Sequence, residues 1–440
     1  MNKFYLKFNK KIYFIPAIYS LIAIIVALLV IPLDRSIGAS ITNVPSIFLA
    51  EIELGRSIFT TMIGAILTMI TVTFSTMLVV LTLYSSEMSP RSMQDFLEQK
   101  FITHILGLMT AVFLFSIISL FSMKDYEANR LVISPFIAVI LSIITIMSFI
   151  YFIHKVSQHM RVNIYIQKLS EENIKLINEK YLVNIKDNGI TNVVPENFED
   201  GLVDEPIQVK SNKSGFIQLY EEKKLWGYAL KNGLLIVCEN AIGEFILEDH
   251  SLFSIHIKDK DKIDEKEISK KLNEFIVIGD DSNKNADIEA GLRKLAEIGV
   301  KALSPGINDP NTAYYCIENL GYLLSKMGMQ FDRQFFLDNN NNAVLVVENT
   351  PFVDLLYKSF YQLRLYGKDD YFIVGAILNA LARIAEANNY QVKVRVWQFA
   401  KYILEDLSAE EMKSLDKSYL NRKVIMLANQ TNQSPKELVL

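Results

Sequence analysis

Four long apolar stretches crowd the first 153 positions of this 440-residue chain: Ile12–Leu33, Ser57–Ser86, Phe101–Ser122 and Leu131–Ile153. Each reaches the ~20 residues that a helix needs to cross a hydrocarbon core of about 30 Å. Inside lipid, every backbone N–H and C=O must be satisfied by the chain itself, so stretches of this length are confined to helices. The chain therefore reads as an integral, multi-pass membrane protein with four transmembrane helices in residues 1–153. The second stretch is the longest. At about 1.5 Å of rise per residue it runs to about 45 Å, so it must tilt or project from the bilayer. The first exceeds the ~7–15 apolar residues of a secretory leader. Small residues follow it at Ser36, Gly38, Ala39 and Ser40, but a retained helix is the expectation.

Basic residues orient the helices. Lys3, Lys7, Lys10 and Lys11 precede the first, Lys155, Arg161 and Lys168 follow the fourth, and Arg91 and Lys100 lie in the middle connection. The other two connections balance their basic residues with acidic ones. Both termini are thus expected in the cytosol of a cell with this protein in its membrane. Cys238 and Cys316 then lie in a reducing compartment and form no disulfide framework. A net charge of −4 argues against nucleic acid as a partner.

The second stretch carries no charged residue and has one narrow, polar side. Thr61, Gly64, Thr68, Thr71, Ser75, Thr82 and Ser85 recur at heptad spacing, with Leu78 the exception. Lipid offers hydroxyls no partner, so such a stripe is expected to face protein or water. Packing explains it, because small residues let membrane helices approach closely. Pore lining also explains it, hydroxyls then replacing part of an ion's water shell. Thr60, Thr73 and Thr76 lie off the stripe and blur it. Glu51 and Glu53 would stand at the outer mouth, Glu87 beside Arg91 at the inner end. No ionisable side chain interrupts the four helix interiors, which argues against a proton- or sodium-coupled transporter. Two functional classes stay open. One is an oligomeric, regulated ion-conducting pore. The other is a membrane-anchored sensor or scaffold whose cytosolic part binds a ligand or partner. Both imply lipid and further copies of the chain as partners, with a small ion or a cytosolic ligand besides.

After the fourth stretch the composition changes. Residues 154–212 read as a helical stalk, with Val156, Met160, Ile164 and Leu169 at helical spacing, followed by a polar linker. Residues 213–279 hold short apolar runs punctuated by Gly215, Gly227, Gly233 and Gly243, the pattern of a small β-barrel-like module. Residues 280–440 are mainly helical, with candidate helices at Asp287–Leu303, Pro310–Met327, Pro351–Tyr366, Asp370–Ala387, Gln391–Leu407 and Ala409–Ala428. A strand-like run at Ala343–Asn349 interrupts them, and no fixed-period repeat is visible. The expected fold is a membrane α-helical part plus a cytosolic α+β region with a β-barrel-like module and an α-helical domain.

The most distinctive local string is "ALSPGINDPNTA" at Ala302–Ala313. Pro305 and Gly306 stop one helix, Gly being suited to a left-handed turn. Asp309 as N-cap and Pro310 at the first helical position start the next. This corner is expected either to dock against neighbouring helices, or to bind an anion or partner loop through Ser304, Asn308, Thr312 and the helix-start amides. Together with "FSTMLVVLTLYSSEMSPR" (Phe74–Arg91) and "SGFIQ" (Ser214–Gln218), it resembles a bacterial family of predicted membrane proteins catalogued as a domain of unknown function (DUF2254). The resemblance covers nearly the whole chain and implies four membrane helices with a soluble C-terminal region. It brings no activity, cofactor or catalytic residue. One departure is Ala290, where the family is aromatic.

Chemical templates are missing: no phosphate-binding glycine loop, no nucleophile elbow, no H-E-x-x-H. His154 and His159 are five apart, and His250 and His256 are isolated, so no metal site is expected. Asp338, Asn340 and Asn342 imitate the opening of a calcium loop, but Ala343 and Asn349 replace its required Gly and Glu. Asp280, Asp281 and Asp287 read as solvated or capping. Nothing in the sequence points to catalysis or a cofactor.

Overall fold

The computed structural model describes residues 13–37, 45–88, 96, 99–126, 130–179, 189–257, 264–280, 288–328, 332–405, 407 and 412–440. Lys3, Lys7, Lys10, Lys11, Arg91, Asp281 and Asp287 lie outside these residues. The chain divides into two compact units, 1–164 and 165–440.

The first unit holds four helices long and apolar enough to cross a membrane. They are α1 (Phe14–Ile37), α2 (Ile52–Glu87), α3 (Lys100–Ser122) and α4 (Ser134–His159). The central one is α3, which packs on the other three and buries Ile105, Met109, Val112 and Phe115. Gly107 lets the Tyr19 ring of α1 close in; a Cβ there would lie 3.1 Å from that ring. The end where α1 finishes is tied by polar groups. Asp34 is buried and accepts hydrogen bonds from the amides of Ile133 (2.8 Å) and Ser134 (3.2 Å), satisfying donors at the start of α4. Arg56, inside the first turns of α2, donates to the carbonyls of Met123 and Lys124 just beyond α3. A two-stranded antiparallel ribbon, β1 (Ala50–Glu51) with β2 (Leu131–Val132), joins the entrances of α2 and α4. The helix α2 begins five residues before the apolar run, at Ile52, and has 36 residues. At about 1.5 Å per residue it is about 54 Å long.

Regular helix stops at His159 and resumes at Val162 as α5 (Val162–Ile177), so the expected continuous stalk is two helices. Of the four stalk positions, Val156 and Leu169 are buried while Met160 and Ile164 are exposed. Within the second unit α5 buries Ile166, Leu169, Ser170, Asn173 and Ile177.

The α/β part of this unit contains β3 (Ile190–Thr191), the short α6 (Phe198–Gly201), β4 (Ile207–Lys210), β5 (Gly215–Tyr220), α7 (Glu222–Asn232), β6 (Leu235–Cys238), β7 (Phe245–Ile246), β8 (Ser251–His256), α8 (Glu265–Asn273) and β9 (Ile276–Gly279). Gly233 closes α7 in the left-handed region at φ 61°, where a side chain would be strained. Two helices follow, α9 (Ile288–Ala302) and α10 (Pro310–Met327), and the chain then returns with β10 (Arg333–Leu337) and β11 (Ala343–Glu348). Six strands form one sheet in the order β3-β10-β11-β6-β8-β4, with β11 and β6 parallel and every other pair antiparallel. Three form a second sheet, β7-β5-β9. Ile217, Leu225, Ile236, Phe253, Leu272 and Leu345 belong to one core shared by both sheets, α7 and α8. Neither sheet closes on itself, so the expected barrel-like module is replaced by two open sheets. The reason is topological: β6 finds its partner in β11, about a hundred residues on, and two helices that sequence reading passed over cover the apolar face.

The remaining helices are α11 (Phe352–Gly367), α12 (Tyr371–Glu386), α13 (Tyr390–Leu404) and α14 (Ser414–Thr431). With α9 and α10 they form three successive helical hairpins stacked side by side. Tyr314 stacks on Phe372 and Gly321 meets Ala380, so α10 and α12 run parallel. Gly375 sits under the Tyr419 ring and Lys423 reaches Asn379, so α12 and α14 run parallel too. The result is a short solenoid of paired helices. Its middle helix, α12, buries every residue from Ile373 to Ala385 except Asn379 and Arg383.

Candidate functional site

The heptad spacing of α2 becomes two opposite faces in three dimensions. Ile52, Phe59, Ile66, Thr73, Met77, Val80 and Tyr84 are buried against the other membrane helices. Thr61, Gly64, Thr68, Thr71, Ser75, Thr82 and Ser85 are all exposed on the surface of the four-helix group, as is Leu78. The stripe is therefore gathered on one face, and among the described residues of the first unit none covers it. The off-stripe threonines separate: Thr60 is exposed, Thr76 half-buried, and Thr73 fully buried, its hydroxyl 3.8 Å from the Met109 sulfur.

The hydroxyls are not left wanting. Thr61 donates to the Ser57 carbonyl, Thr68 to Gly64, Thr71 to Leu67 and Thr82 to Leu78, at 2.9–3.0 Å. Each bond runs one turn back along the same helix. The need for an external donor or acceptor, expected from the sequence, is thereby met inside α2. What stays available on each hydroxyl is lone-pair capacity. Glu51 and Glu53 are exposed at the start of α2.

The Ala302–Ala313 corner is an exposed tip. Pro305, Gly306, Ile307 and Asn308 face solvent, and a Cβ on Gly306 would meet nothing within 4 Å. The left-handed residue is Asn308, at φ 48°, not Gly306. Asp309 caps α10 by accepting from the Thr312 amide (3.1 Å) and the Thr312 hydroxyl (2.6 Å). The Thr312 hydroxyl bond, with the amides of Thr312 and Asn311, holds the Asp309 carboxyl below its ordinary value despite some desolvation. The anion place at this helix start is thus occupied by the protein's own carboxylate. Ser304 donates to the Lys301 carbonyl and takes no part in that cap. The stripe residues and the corner residues belong to different units.

Other candidates resolve into structure. Asp338 accepts from the amides of Asn340 and Asn342, both at 2.8 Å, as the polar turn of the β10–β11 hairpin. Cys238 and Cys316 are buried free thiols, pushed well up by desolvation and so unreactive. Among the described residues no group of three or more His, Cys, Asp or Glu side chains could hold a metal ion. Sequence reading missed Asp34 and Arg56, whose partners lie 99 and 67 residues away. A charged residue at the edge of an apolar run was the visible signal; the amides and carbonyls it serves were not.

The four apolar helices, followed by an α/β and helical region, define a multi-pass membrane protein with a mixed non-membrane part. The chain belongs to the predicted membrane protein family DUF2254, which it matches over residues 9–383. It is similar to two mycobacterial proteins, each uncharacterised: MT1328 of Mycobacterium tuberculosis and Mb1321c of Mycobacterium bovis. Each is 20% identical over 337 residues, covering 75% of this chain and 64% of the relative. This chain thus spans less than two thirds of their length. No solved structure matches it.

Proposed function

We propose that this protein is the subunit of a homo-oligomeric, ion-conducting membrane pore, with α2 lining the passage and residues 154–440 regulating it from the cytosol. One observation carries the reading: all seven small or hydroxylated stripe residues of α2 lie on a face that the described residues of the first unit leave exposed. Copies arranged around that face would set rings of threonine oxygen along a passage, each with lone pairs free for a cation's first shell. Glu51 and Glu53 add negative charge at one mouth. Both termini lie on the cytosolic side in this reading, following the basic residues that flank the helices. The domain limits proposed from sequence go with it: 1–153 in the membrane, 154–212 as stalk and linker, 213–279 and 280–440 beyond.

The test is electrical. Purified full-length protein in a planar bilayer should show discrete currents, and Thr68→Phe should alter their amplitude while leaving the oligomer intact. Silence across ions, pH and voltage from a folded oligomer would sink the pore. A second reading has its own support. Because the four stripe threonine hydroxyls are satisfied within α2, the same face can serve helix packing alone, leaving the protein a membrane-anchored sensor or scaffold. Stripe substitutions would then change oligomer stability and no conductance.

A further inference from the structure

The two outer-layer helices α9 and α11 run parallel. At their C-terminal ends Gly299 admits Leu363, so closely that a Cβ on the glycine would lie 2.8 Å from it. Toward their N-terminal ends they are bridged by Lys358 and Glu289 at 3.3 Å, and by Thr350, which donates to Glu289. Between them lies a shallow notch, open to solvent and lined by Glu289, Leu292, Arg293, Leu355, Lys358 and Ser359.

Three features of this notch favour a negative guest. It lies between the N-terminal halves of two helices of 15 and 16 residues, whose positive dipole ends point the same way. It holds two cations against one carboxylate, and that carboxylate is engaged: Glu289 accepts from the Thr350 hydroxyl as well as from Lys358. Arg293 has no ion-pair partner among the described residues. Finally, Ser359 is only 2% exposed, and its hydroxyl makes no hydrogen bond. The membrane threonines show the usual resolution of such a group, a bond to the carbonyl one turn back, and Ser359 does not take it. A buried hydroxyl without a partner is costly, and a ligand oxygen would relieve it.

We propose that the α9–α11 notch binds a small oxyanion, held by the Arg293 guanidinium and the Lys358 ammonium with Ser359 at its base. The site is independent of the role given to α2. The shared chemistry is a phosphoryl or carboxylate group, which fits a bidentate guanidinium contact.

The experiment is hydrogen–deuterium exchange of the full-length protein in detergent, titrated with inorganic phosphate or with acetate at ionic strength held constant by chloride. Saturable protection confined to the first turns of α9 and α11 is expected with at least one of them. Protection by phosphate alone identifies a phosphoryl guest; protection by acetate alone identifies a carboxylate-bearing one. Arg293→Gln should raise the half-saturation concentration about tenfold or more, Arg293→Lys by less, and Ser359→Ala about threefold. Exchange over α12 reports whether each variant is folded. No saturable protection in the wild type, or protection that Arg293→Gln leaves unchanged in a folded protein, overturns the proposal.

Discussion

Asp34 is a single side chain that closes one end of the membrane unit. Its carboxylate replaces water for two amides at the start of α4, where the apolar surroundings offer no other acceptor. Asp34→Ala should therefore lower stability by about 1–2 kcal/mol, the range for a lost helix cap. Asp34→Asn, which keeps an acceptor oxygen, should lose less; thermal unfolding in detergent compares the two. Asp309 caps α10 in the same way but in solvent. Its folded carboxyl titrates below the unfolded one, so its contribution is complete above the ordinary carboxylate range and is lost as pH falls through the lowered value. Acid unfolding followed by circular dichroism should show a shallower loss below about pH 4 in Asp309→Ala than in the parent chain. The threonines of α2 teach a related point. Their presence on one face was legible from spacing, but their self-satisfaction depends on side-chain rotamer, which spacing does not specify.

Between elements, glycine decides how close helices come. In the inner layer of the solenoid a Cβ on Gly321 would lie 2.7 Å from the Ala380 Cβ, so α10 and α12 touch backbone to backbone. Gly321→Leu should force them apart and cost about 1–3 kcal/mol or more, seen as a lower urea midpoint. Gly306→Ala is the contrast: open space surrounds it and its φ is not positive, so stability should change by less than about 0.5 kcal/mol. A stable Gly306→Ala protein that no longer gives the bilayer currents proposed above would assign the corner a role beyond folding. The helices α10 and α12 were readable from sequence because caps mark their starts: Asp309 with Pro310, and Asp370, which accepts from the amides of Phe372 and Ile373. The strands β3, β4 and β10 were not: β3 and β4 are short and pair with β10 and β8, far along the chain, while β10 buries three successive residues and so shows no alternation.

At the scale of the molecule, the chain leaves the α/β part, builds one helical hairpin, and comes back. The β10–β11 hairpin supplies the partner of β6 and carries β3 at the sheet's edge. Replacing Arg333–Glu348 with a short polar linker should leave six helices able to stack yet uncover β6, so strand content falls by circular dichroism and the protein aggregates through the opened edge. The same insertion hides the solenoid's regularity. The first and second hairpins are separated by two strands and the second and third are not, so equivalent helices recur at unequal intervals and no period appears.

What the sequence by itself determined is whatever follows from local composition and short-range chemistry. It placed four membrane helices by length and apolarity, and the ends of later helices by capping residues. Tertiary structure alone decided the rest. It turned the α2 stripe outward, made the expected barrel two open sheets, and set α9 beside α11 with the notch between them. Each of these depends on which distant surfaces meet, and pairing between distant segments is set by the packing of the whole chain, which no window of sequence contains.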